Sequence, residues 1–251
     1  MRNYITHLVL ASSLISPVYA LADIKLTIKN DKLNETIWSN GQNLHVKSEK
    51  ELGYILVKPE KRELYTINLM DQQLIDLSNK VKDKPKIPRN IDLKIEYNHR
   101  GPGPTMLGLK TDLFSLEVNG KICQTEYFVS SSEALTALTA GMELMTEYKI
   151  NTSFDALSKE LELCFVADNL NYDRYSKHGF PIKIEDQYGK TLFEVIDIDV
   201  NASQPFNNYK FPEGFLVLTY NQMMEAASNM VFDTANEMHP EPINIQELLE
   251  E

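Results

Sequence analysis

The chain has 251 residues, 43% of them hydrophobic, a formal net charge of −11 and two cysteines. That length suits one large α+β domain or two very small ones, and no internal repeat or Ser/Gly linker favours two. The acidic balance disfavours nucleic acid and anionic lipid headgroups as nonspecific partners, because both would be repelled, but it leaves an apolar pocket open.

Residues 1–22 read as a cleavable secretory signal peptide. Arg2 supplies the basic start, and residues 5–15 are apolar apart from Thr6, His7, Ser12 and Ser13. Pro17 interrupts the run, and Ala20-Leu21-Ala22 is a small-x-small cleavage site before Asp23. A cut after Ala20 is the alternative, and an ordinary N-terminal helix the competing reading. The expected location is periplasmic or secreted. Nothing later in the chain approaches the roughly 18 uninterrupted apolar residues of a membrane span, so the protein is not expected to be an integral membrane protein.

Residues 23 onward read as a meander of strands. Ile24, Leu26 and Ile28 alternate with Lys25, Thr27 and Lys29, and Ser39-Asn40-Gly41-Gln42 is a tight-turn signal. Leu44 and Val46, residues 54–57, 64–69 and 74–77 follow at strand spacing. Residues 78–90 are basic and contain Pro85 and Pro88, which reads as a solvated connection. Ile91, Leu93, Ile95 and Tyr97 resume the alternation. The loop His99-Arg100-Gly101-Pro102-Gly103-Pro104 is a poor phosphate cradle, because its prolines remove amide donors. Residues 113–118 and 122–129 are joined by Asn119-Gly120, a hairpin signal.

The period then changes from 2 to 3.6. Ser130-Ser131-Ser132-Glu133 is a capping-box motif, and Leu135, Leu138, Met142 and Met145 share one helical face. A second helix is expected from Ser153, with Phe154, Leu157, Leu161 and Cys164 on one face. Residues 180–198 read as a closing antiparallel hairpin, followed by Phe211-Pro212-Glu213-Gly214-Phe215. A third, amphipathic helix is expected from Tyr220, carrying Met223, Ala226, Ala227, Met230 and Val231, ahead of an acidic tail.

Cys123 and Cys164 are expected to form a disulfide, since an even cysteine count in a secreted chain points that way; free or metal-binding thiols are the alternative. No catalytic signature stands out, and no metal or cofactor site is expected. His45, His99, His178 and His239 have no ligand spacing and are expected at the surface. Asp197, Asp199 and Glu185 suit the solvent face of alternating strands better than acid/base work. Met142 and Met145, like Met223, Met224, Met230 and Met238, suit core or adaptable surfaces better than Cu(I).

The order of elements resembles the LolA/LolB-like lipoprotein-carrier superfamily, in its branch of uncharacterised periplasmic domains. The residues that carry the resemblance are Met106-Leu107-Gly108-Leu109-Lys110-Thr111, Leu113-Phe114-Ser115-Leu116, Asn119-Gly120-Lys121, Tyr127-Phe128-Val129-Ser130, Gly179-Phe180-Pro181 and the Phe211–Phe215 pentapeptide. It covers residues 23–218 and leaves 219–251 outside. It implies a curved antiparallel sheet, a half-open barrel, with helices packed on its concave face. It implies an apolar interior that holds a lipid or acyl chain, lined here by Leu138, Met142, Phe154 and Leu161. The carrier's arginine lock matches no single arginine here, so lipoprotein transport is not carried over. The expected function is therefore non-enzymatic binding. The alternatives are an interaction protein that uses its C-terminal helix on a periplasmic partner, and a small hydrolase.

Overall fold

A computed structural model describes residues 23–30, 34–82, 94–130, 133–156, 163–203 and 209–226. Residues 1–22, Leu161 and the chain beyond residue 226 lie outside the described residues. Strands β1 (Asp23–Asn30), β2 (Asn34–Ser39), β3 (Leu44–Ser48), β4 (Gly53–Lys58), β5 (Glu63–Asn68) and β6 (Gln73–Asp76) run in a meander. A short helix α1 (Ser78–Lys82) precedes β7 (Ile95–Pro102), β8 (Asp112–Val118) and β9 (Lys121–Val129). Helices α2 (Glu133–Ala156), α3 (Leu163–Leu170) and α4 (Arg174–His178) come next, then β10 (Phe180–Asp186), β11 (Thr191–Ala202) and β12 (Leu216–Thr219).

The strands form one open sheet of 12, in the order β12-β6-β5-β4-β3-β2-β1-β11-β10-β9-β8-β7. The protein is thus α+β. The join between its halves is β1, which pairs with β2 on one side and β11 on the other, both antiparallel. Its Ile24, Leu26 and Ile28 are buried, as the alternation requires. The turn after β2 is held by Asn40, whose Oδ1 accepts from the amides of Gln42 and Asn43, while Gly41 takes the φ of 83°.

Alternation sorts the side chains of β4–β6 onto two covered faces. Ile55, Val57, Leu64, Ile75 and Leu77 join the main core, together with Leu135, Leu138 and Leu144 of α2 and Phe180, Ile182 and Val195 of the closing hairpin. Leu56, Ile67 and Leu74 point the other way and are covered by Tyr54, Tyr65, Tyr209 and Phe215. Alternating strands at a sheet edge predict one wet face. Here Tyr209, Phe211 and Phe215, which precede β12, cover it, with the Phe211 ring 4.6 Å from Tyr65 and the Lys58 ammonium 4.0 Å from Phe211.

At ~36 Å, a 24-residue helix is long enough to cross several strands, and α2 touches β3, β4 and β10 as well as the other helices. At Gly141 it lies so near β3 that a Cβ would be 2.4 Å from Leu44 Cδ2. Glycine there lets helix and strand meet.

Three expectations are corrected, and one strand is added. The sheet is mixed: β12 runs parallel to β6. Residues 78–82 are helical rather than a solvated connection. Asp76 Oδ1 caps the Ser78 amide at 2.9 Å and Val81 is fully buried. Strand β2, hidden by its mixed composition NETIWS, precedes the turn at Asn40. Finally, no helix starts at Ser153: α2 continues through Phe154 to Ala156, and the next helix starts at Leu163. Beyond β12, residues 220–226 are helical. Thr219 caps them reciprocally, its Oγ1 accepting from the Gln222 amide and its own amide donating to Gln222 Oε1.

Candidate functional site

Cys123 and Cys164 are bonded, with Cα atoms 5.3 Å apart. The reach comes from a β-bulge: Leu116 pairs with Gln124 and Glu117 with Ile122, which leaves Cys123 as the unopposed residue. A bulge re-aims the side chain, here toward α3. Cys164, Phe165 and Asp168 are three and four residues apart on α3 and lie along one helical face.

That face forms one wall of a cleft of about 560 Å³. The opposite wall is the β10–β11 hairpin, through Ile184, Asp186, Leu192 and Phe193, with Tyr188 at the turn. Gln124 of β9, Tyr175 of α4 and Lys149 of α2 complete it. The lining is mixed: aromatic and aliphatic surface on the hairpin, polar groups toward β9.

Behind the polar end lies a buried charge network. Arg174 is 1% exposed and Glu126 not at all. The guanidinium Nε is 3.1 Å from Glu126 Oε1, an ion pair whose alignment falls short of a directed hydrogen bond. Its Nη2 donates to Asp168 Oδ1 at 2.5 Å and to the Tyr175 hydroxyl at 3.0 Å, and its Nη1 to the carbonyls of Asp168 and Asn171. The Tyr97 hydroxyl donates to Glu126 Oε2 at 2.5 Å. With its amide turned so that nitrogen faces the acids, Gln124 donates to Asp168 Oδ1 at 3.2 Å and Glu126 Oε1 at 3.0 Å. Burial raises the Tyr97 and Tyr175 hydroxyls, so both stay protonated. Burial also pushes the Glu126 carboxyl up, against the pull of Arg174. Burial by itself would lower Arg174, but Tyr175, Glu126 and Asp168 hold it charged.

A second cleft, about 470 Å³, is lined by His99, Asp112, Phe114, Ser130, Lys177 and His178. His99 Nε2 lies 3.5 Å from Asp112 Oδ1, and the rings of His99 and His178 flank Phe114 at 4.9 and 4.5 Å. Burial lowers His178. A third, smaller cleft of about 280 Å³ separates α2 from the turn at Gly41 and from Arg62, which pairs with Glu147.

The expected lining residues are distributed differently. Leu138 is fully buried in the main core, and Met142 bridges that core to the cluster of Phe114, Phe128 and Tyr175. Neither lines any of the three clefts. Phe154 is in α2, but its side chain, like all of Leu161, is outside the described residues. Met145 packs on the main core, which fits its expected role. The surface reading fails for His45: it is 6% exposed, 5.3 Å from Trp38 and stacked at 4.2 Å on Tyr54. Glu185 pairs with Thr191, away from Asp197 and Asp199, and accepts from the Tyr127 hydroxyl. The Gly-Pro loop closes on itself, Gly103 N donating to Thr111 O and Thr111 Oγ1 to Pro104 O. Sequence reasoning missed Arg174 and Glu126. An isolated arginine and an acid in an alternating strand look like solvated residues until the fold buries them together.

Among the described residues no group of three or more His, Cys, Asp or Glu is placed to hold a metal ion, and no helix is long and apolar enough to cross a membrane. No protein-family model matches the chain, and no curated protein matches it. Among solved structures, it is similar to the crystal structure of an uncharacterized conserved protein from Thermus thermophilus. The TM-score is 0.40 at 9% identity, over 79% of this chain and 91% of that one.

Proposed function

We propose that the protein is a secreted or periplasmic, non-enzymatic binding protein that holds a lipid or acyl-chain ligand between its helices and its sheet. The observation that carries this reading is the cleft between α3 and the β10–β11 hairpin. Its volume, about 560 Å³, falls within the range of roughly 300–1,000 Å³ usual for small-molecule sites. Ile184, Leu192 and Phe193 offer apolar surface without hydrogen-bonding demands, which suits an alkyl chain. Gln124 and Asp168 suit a polar head at the other end. On this reading the sheet is a half-open barrel and α2 and α3 lie on its concave face. The apolar segment at residues 5–15 and the Cys123–Cys164 bond support export to an oxidising compartment.

The test is saturable binding of the uncharged fluorophore N-phenyl-1-naphthylamine, with native mass spectrometry of protein purified from periplasm to detect a co-purifying lipid. Phe193→Asp should abolish dye binding, whereas Val200→Asp, on an exposed position of β11, should leave it unchanged. Absence of saturable binding by the parent protein, with no co-purifying lipid, would refute the reading.

A further inference from the structure

The walls of the α3 cleft carry more acid than base. Asp168 and Asp186 line it, and Lys149 is its one cationic lining residue. Behind Asp168, the single Arg174 is shared between two carboxylates, those of Glu126 and Asp168. Asp168 keeps 22% of its side chain exposed, so its charge is not wholly withdrawn into that network. Aromatic faces complete the setting: Phe165, Phe193, Tyr175 and Tyr188 all line the same space. One of these faces already holds a cation, since the Lys149 ammonium lies 5.5 Å above the centre of the Phe165 ring. Lysine is flexible and Lys149 is exposed, so its ammonium can swing out to water when another cation arrives.

We infer that the cleft selects ligands bearing an ammonium group, with the head against Phe165 and Asp168 and the apolar part along Leu192 and Phe193. Lys149 is then an internal occupant of the head-group position. Ammonium recognition by ring faces is electrostatic: the negative face of the ring attracts the cation, most strongly where water is thinned out. A nearby carboxylate adds charge complementarity, and a chain of net charge −11 draws cations toward it over longer distances. An anionic head would face Asp168 and Asp186, with Lys149 the one cation in the lining and Arg174 already shared between Asp168 and Glu126.

This inference rests on the cleft being a ligand site, and the experiment separates the two. Isothermal titration is run on the mature protein with decyltrimethylammonium, decanoate and decanol, matched in chain length. The ammonium probe should bind about tenfold more tightly than decanoate, which is ~1.4 kcal/mol of selectivity. Lys149→Met should tighten the ammonium probe by roughly three- to tenfold, by vacating the ring face, and weaken decanoate. Asp168→Asn should bring the two charged probes toward equal affinity while decanol stays as in the parent. Lys149 is exposed, so its variant keeps the test decisive even where Asp168→Asn disturbs the Arg174 network. Decanoate binding as tightly as the ammonium probe, or Lys149→Met weakening the ammonium probe, overturns the head-group assignment and leaves the cleft intact. Failure of all three probes overturns the cleft reading itself.

Discussion

Replacing Arg174 by Met should cost far more than the loss of one surface contact. The guanidinium is 1% exposed and lies beside Glu126, which is fully buried, and Asp168, which is 22% exposed. A methionine fills much of the same volume, so the packing loss is small. What remains is a carboxylate at Glu126 with no cation beside it. Leaving one partner of a buried pair uncompensated costs about 3–5 kcal/mol. Glu126→Gln in the same chain removes that charge while keeping an acceptor for the Tyr97 hydroxyl, which donates to Oε2 at 2.5 Å. The double variant should therefore recover at least ~2 kcal/mol of what Arg174→Met loses, a coupling of the size seen within one ion-pair network. Urea denaturation at neutral pH measures this, with midpoints compared at constant m. An Arg174→Met variant within about 1 kcal/mol of the parent, or a double variant whose losses add, would refute the reasoning: the network would then be wet and loosely coupled.

Three further outcomes are expected. His45, pushed down to about 4 by burial, stays neutral in the fold while the unfolded chain takes up a proton near 6.5. The unfolded state thus binds more protons in that window, stability falls as pH drops from 6.5 to about 4, and the loss is up to about 3 kcal/mol. His45→Phe should flatten this part of the pH–stability curve, and an unchanged slope would exclude His45 as its source. Reduction of Cys123–Cys164, which spans 41 residues, should lower stability by about 4 kcal/mol on the chain-entropy account, read as a shift in denaturation midpoint with and without reductant. Gly141→Ala gains up to about 1 kcal/mol of helix propensity but drives its Cβ to within 2.4 Å of Leu44 Cδ2, so a net loss of ~1–2 kcal/mol is expected and Leu44→Val should relieve it; a stabilised single variant would mean that α2 shifts freely.

Local pattern and long-range geometry divided the fold between them. Alternation made β1, β3, β4, β5, β8, β9 and the β10–β11 hairpin legible, because period-two burial is written residue by residue. The same logic made the α2 face legible, with Leu135 and Leu138 buried as its spacing requires. The Cys123–Cys164 pairing followed from there being only two cysteines to join. Strand β2 and helix α1 were not legible. NETIWS has no clean alternation, and SNKVK becomes a helix only once Val81 has a core to enter and Asp76 caps it.

The site depended on tertiary structure throughout. Arg174 and Glu126 are 48 positions apart in the sequence. Each is what a solvated surface would carry, and only the docking of α4 over β9 makes them a buried pair. Leu138 and Met142 were rightly placed on a buried helix face, yet whether that face lines a cavity or fills one depends on how closely α2 approaches the sheet. Gly141 sets that approach. Likewise, nothing local in β12 says that it lies parallel to β6; that pairing joins residues far apart in the sequence. The sequence by itself determined most of the strands, the helix α2 and which of their faces are apolar, since burial periodicity is a local property of the chain. Tertiary structure alone decided which distant charges share a partner and where space is left between the layers, since both depend on packing between elements far apart in sequence.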